Sequence, residues 1–294
     1  MKSVLSYINE KLKIKKGKSY MYHPENTKEL KEIILDMASK NSDNHIELLD
    51  LTIIDVSKVE NFESVFEDFS DYESNRIVDI SGWDVTNASS LEKMFIKSSF
   101  KKIIGFNTLD LSNIKSLREC FADCEDLEEI DGIEKISITP YCNQINWMFD
   151  SCEKLQLPEV LDWDVSGIEW SSGVFHRCKK LENLDLSKWN MDKPYTFCKM
   201  FYDCTNLKSI KGIEDWKLDS CKDASYMFAH CENLETIGDI SNWNVAGIKN
   251  LELMFDQCKK LKCDISTWVS FYPRVRKSYM CRGTKPKIFI KPKL

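Results

Sequence analysis

A chain of 294 residues, 43% hydrophobic and 30% charged, carries enough apolar surface for a packed core and lacks the composition of a disordered or collagen-like protein. Its net charge of −6 is unevenly placed: Arg274 to Leu294 holds eight basic and no acidic residues, which leaves −14 on the remainder. No apolar run approaches membrane-spanning length, and Met1 to Leu12 lacks the apolar segment and cleavage site of an export signal, so a cytoplasmic location is expected, with a secreted or cell-surface location by another route as the alternative.

Residues 1–47 form an expected N-terminal helical cap. Val4, Leu5, Ile8 and Leu12 fall at helical spacing, a lysine-rich loop follows, and Asn26-Thr27-Lys28-Glu29 is a capping box that predicts a helix start. The stripe Leu30, Ile33, Ile34, Met37 and Ala38 repeats as one helix face does, which suits a cap laid over the first unit of an array.

Residues 48–268 are a repeat array of about eight units. Aligned on phenylalanine the units give Phe66, Phe95, Phe121, Phe149, Phe175, Phe201, Phe228 and Phe255, spaced by 29, 26, 28, 26, 26, 27 and 27. In six units a cysteine follows three residues later (Cys124, Cys152, Cys178, Cys204, Cys231, Cys258) and a leucine six residues later. Self-similarity at this period marks units that bury their apolar faces against their neighbours. The half after the cysteine, as in Leu181 to Leu186, alternates and predicts a strand; the half before it, as in Ile248, Leu251, Met254, Phe255 and Cys258, has helical spacing and predicts one short helix per unit. Asp-x-Ser-x-Trp at Asp79, Asp185, Asp239 and Asp264 predicts a turn stopped by side-chain to backbone bonds, with Trp83, Trp189, Trp243 and Trp268 stacked along the array. Some units depart from this pattern: the second lacks the cysteine, the third has Ile114 where the tryptophan would be, and the fourth has Pro140-Tyr141-Cys142 in its turn. Residues 269–294 form a basic C-terminal cap or tail.

The recurring Asp-[Leu/Ile]-Ser-x-Trp-[Asp/Asn]-Val and Met-Phe-x-x-Cys-x-x-Leu resemble the BspA-type leucine-rich repeat, over roughly residues 50 to 268, and Tyr22-His23-Pro24 with Thr27 to Leu30 resembles the segment that often precedes such arrays. The resemblance implies an α/β repeat fold, a right-handed leucine-rich-repeat solenoid, and a role in binding protein.

Twelve cysteines contain no Cys-x-x-Cys pair, so no metal is expected. Helices stacked ~8–10 Å apart would hold the repeat cysteines beyond disulfide reach, which predicts buried free thiols. His23, His45, His176 and His230 are scattered and form no catalytic group, no glycine-rich phosphate loop is present, and neither enzyme activity nor a cofactor is expected.

Acidic clusters lie at Glu60 to Glu73 and Asp123 to Glu134. With outward positions of the strand half, the latter defines a candidate partner-binding strip of Glu128, Glu129, Asp131, Asn183, Asp185, Ser209, Lys211 and Thr236. The leading expectation is a non-catalytic protein-protein interaction scaffold, with nucleic acid not expected as a partner. The alternatives are an inhibitor encoded by a virus or mobile element, which occludes a nucleic-acid-binding protein through its acidic surface, and an exported adhesin.

Overall fold

The computed structural model describes residues 20–43, 46–67, 69, 76–268, 276 and 278–284. The helical spacing before residue 13, part of the Glu60 to Glu73 cluster and most of the basic tail lie outside the described residues.

The capping box starts helix α1 (Thr27–Asp43). The Asn26 side chain accepts from the Glu29 amide at 3.1 Å, while the Glu29 carboxylate takes the Glu25 amide at 2.8 Å, so two amides at the helix entry are satisfied. Leu30, Ile34 and Ala38 are fully buried, and Ile33 and Met37 flank them. That stripe places α1 against β1, the first strand of the array.

Among the described residues six short strands follow, all paired in parallel: β1 (Leu48–Asp50), β2 (Ile77–Asp79), β3 (Lys102–Ile104), β4 (Glu129–Ile130), β5 (Asn183–Asp185) and β6 (Ser209–Lys211). β1 to β4 form one sheet and β5 and β6 a second. Equivalent residues of successive units stand opposite each other, as in Leu49, Val78 and Ile103, and those central side chains are buried. Between β4 and β5 the ladder thins to the amides of Gln156, Asp162 and Asp185, bonded to Glu128, Glu134 and Glu159. Pro158 sits there, and proline has no N–H to give a neighbouring strand.

The short helix expected in each unit is not what the other half forms: among the described residues, α-helix is confined to α1. Residues 91–97 show the reason. The amides of Leu91, Lys93, Phe95 and Lys97 donate to Ser116, Arg118, Cys120 and Ala122 of the next unit, while those of Met94, Ile96 and Ser98 close turns onto the residue three before. A helix would have turned these amides, beyond its first turn, onto its own carbonyls. Lys93 and Lys97 adopt positive φ (58° and 56°), and the same two places are left-handed in Glu119 and Asp123, Lys199 and Asp203, and Tyr226 and His230. Each such residue costs about 1–2 kcal/mol. Ladder bonds at about 0.5–1.5 kcal/mol each, with a buried phenylalanine at about 1.5–3 kcal/mol, offset that cost. Spacing of three and four apolar residues is thus shared by a helix and by this chain of tight turns, and contacts between units decide between them.

The core runs through the units as columns. The eight repeat phenylalanines stack face to face from Phe66 to Phe255, with centroids 4.6 to 6.0 Å apart. Beside them each repeat thiol donates to the carbonyl of the phenylalanine one unit back: Cys124 to Phe95, Cys152 to Phe121, Cys178 to Phe149, Cys204 to Phe175, Cys231 to Phe201 and Cys258 to Phe228, at 2.9 to 3.1 Å. The tryptophans stack in part, Trp163 on Trp189 and Trp243 on Trp268, while Trp83 stacks on Phe66. The Trp83 indole donates to Leu51 and that of Trp243 to Ile213. Asp79, Asp185, Asp239 and Asp264 each accept the amide two residues on, as the Asp-x-Ser motif predicts. In Asp185 and Asp239 the serine hydroxyl and amide hold the carboxyl below its ordinary range.

Candidate functional site

The strip expected from sequence divides between the two sheets. Glu129 lies on β4 and Glu128 just before it, with Asp131 just after; Asn183 and Asp185 lie on β5, Ser209 and Lys211 on β6, and Thr236 pairs with Ser209. Asn183, Ser209 and Thr236 stand in register, as do Asp185 and Lys211, so each sheet brings its own members together. Glu129 is held by Lys102 at 2.6 Å and Glu128 by Lys101 at 3.7 Å. Lys211 reaches Glu159 at 3.6 Å, and Ser209 donates to Asn183 at 2.7 Å. Much of this strip's charge and hydrogen-bonding capacity is therefore met within the chain.

The cysteines are all free thiols, ten of them buried. Burial pushes the Cys124 and Cys221 thiols up to about 12, and Cys142 and Cys281 to about 11, so they stay protonated and poorly nucleophilic. The spacing argument from stacked helices does not apply, since the halves are turns; the repeat thiols are engaged instead as donors to phenylalanine carbonyls. Titration of the native protein without reductant should find few reactive groups, rising to about twelve in denaturant. Fewer than twelve after unfolding in that buffer would show disulfides and contradict the free-thiol arrangement.

His176 bonds Asp150 at 2.6 Å, and Asp256, almost fully buried, takes a two-pronged pair from Arg282 at 2.8 and 2.9 Å with His230 at 3.8 Å. These groups tie one unit to the next. Among the described residues no three His, Cys, Asp or Glu side chains converge to hold a metal ion.

Trp170 and Tyr195 are aromatic side chains on the outer face of the turn half that stand outside the strip expected from sequence. Trp170 (42% exposed) and Tyr195 (48% exposed) touch across adjacent units with centroids 5.4 Å apart, and Tyr141 and Val160 are also exposed. Trp170 belongs to a file of residues bridged from unit to unit, Ser90, Ser116, Gln144, Trp170, Thr196 and Asp223, in which it alone is aromatic. Nearby, Trp147, His176, Tyr202 and His230 form a second run, each ring within 5.4 Å of the next. Trp147 lies across Gly173, whose φ is +60° and whose absent Cβ would meet the indole at 2.1 Å. The signal was present in the alignment as large aromatics at places where other units carry Ser, Lys or Asp.

Repeating units stacked in register, with their reactive groups committed to packing, define a repeat protein. The family described as Mycoplasma protein of unknown function, DUF285, matches residues 34–135 and 195–285, more than half of the chain, and the chain belongs to that family. No curated protein and no solved structure matches it. The stretch between the matched segments contains Tyr141, Val160 and Trp170. Among the described residues no helix is long and apolar enough to cross a membrane.

Proposed function

We propose that this protein is a non-catalytic interaction scaffold, a leucine-rich-repeat solenoid of BspA type that engages a protein partner through the outer face of its turn half. The exposed Trp170 and Tyr195 pair carries this reading. Two aromatic rings in contact, held by a backbone laddered to both neighbouring units, present a large apolar area with little side-chain freedom to lose. Tryptophan and tyrosine are the residue types that most often dominate binding energy at protein interfaces. The strand face supports the reading less, because lysines already pair Glu128 and Glu129.

The test is capture of a partner from the source cell, identification by mass spectrometry, and affinity measurement with purified components. Trp170→Ala and Tyr195→Ala should each weaken binding about tenfold or more, the range of interface hot spots, with an unchanged melting temperature. Full affinity in both variants, with a loss on reversing Glu128, Glu129 and Asp131 to lysine, would move the interface to the strand face and overturn this assignment.

A further inference from the structure

Ile96, Ala122 and Trp147, from three successive units, wall a surface cleft of about 270 Å³ whose rim carries Glu119, Asp123 and Asp150. The cleft exists because Ala122 is short where the next units carry Asp150, His176 and Tyr202. Its indole wall is built in, since Trp147 rests on the side-chain-free Gly173 and against His176 at 5.4 Å. Two of the carboxylates have partners: Glu119 pairs with Arg118 at 2.7 Å and Lys93 at 3.9 Å, and Asp150 with His176. Asp123 makes no direct ion pair among the described residues, although Lys97 and Arg177 lie near enough to act on its charge. Its amide bonds the Asp150 carbonyl at 2.7 Å, which places the two carboxylates on adjacent units.

We propose that this cleft receives an arginine side chain of the protein partner, its methylene stem against Ile96 and Ala122, its guanidinium over the Trp147 ring and bonded to Asp123. The assignment rests on the scaffold reading for the partner's nature. Charge complementarity and shape favour this occupant: a planar cation stacks on an indole face and offers paired donors to a carboxylate, which an ammonium ion does not. Burial, and then the neighbouring Asp150, raise the Asp123 carboxyl above its ordinary range; Lys97 and Arg177 offset this only in part, so a cation bonded directly to Asp123 would stabilise its charged form further.

The full chain labelled with 5-fluorotryptophan, with the Trp147 resonance assigned by its loss in Trp147→Phe, is titrated with acetylated, amidated tetra-arginine. A saturable shift of that resonance is expected, with tetra-lysine weaker. Asp123→Asn, an exchange tolerated at a left-handed position, should weaken tetra-arginine binding about tenfold, the scale of a hydrogen bond to a charged group. No shift at millimolar peptide, equal response to tetra-lysine, or unchanged affinity in Asp123→Asn would each overturn the proposal. If tetra-arginine fails while Trp170→Ala still weakens partner capture, the cleft assignment falls and the scaffold reading stands; the reverse pattern removes the Trp170 face and leaves the cleft.

Discussion

Phe201→Ala is expected to lower the unfolding free energy by about 3–5 kcal/mol, the range for emptying a buried aromatic site. Phe201 is fully buried in the middle of the phenylalanine column, with Phe175 and Phe228 stacked on its two faces at 5.5 Å. Neither neighbour can close the hole, because each is stacked on a further ring and its backbone is fixed to the adjoining unit. The Phe201 carbonyl would still accept the Cys231 thiol, so the loss would come from packing. In a stack of units stability is a sum of unit and interface contributions, and a central deletion weakens two interfaces at once. Urea unfolding followed by circular dichroism should show a lower midpoint and, if the two ends separate, a broadened transition. An unchanged midpoint would mean that Phe201 is not in the column.

Gly212→Ala should cost about 2–4 kcal/mol, from two sources that act together. Gly212 has φ +86°, where a Cβ is strained, and that Cβ would lie 2.3 Å from the backbone nitrogen and Cα of Ser187 in the preceding unit. Ser187 is fixed by its own amide bond to Asp185, so the clash falls on main chain that cannot step aside as a flexible side chain would. Gly105 repeats the arrangement, with φ +90° and Ser81 backbone at 2.4 Å, and Gly105→Ala should behave alike. Gly247 offers the contrast: its nearest atom would be 3.2 Å away, and its alanine variant should be much milder. Chemical denaturation of the three variants checks the ranking, and a Gly212→Ala loss no larger than that of Gly247→Ala would show that the close approach between units is absent.

The sequence by itself determined the unit length, the register of the phenylalanine and cysteine columns and the entry of helix α1, because each depends on residues within one unit or on their exact repetition. It also placed the Asp-x-Ser turns, since an aspartate bonding the amide two residues on is a local interaction. The form of the turn half was not legible. Apolar spacing at Leu251, Met254, Phe255 and Cys258 suits a helix, and only the demand of the next unit for every second amide turns it into tight turns with left-handed residues. Likewise the acidic residues of the strand half read as an open negative strip until the lysines one unit away are seen to pair with them, as Lys102 does with Glu129. The aromatic face and the Trp147 cleft also wait on tertiary structure. Trp147, Gly173 and Ala122 lie on different units, and which of them touch depends on the stacking of units, a contact between residues some 26 positions apart that no local pattern encodes.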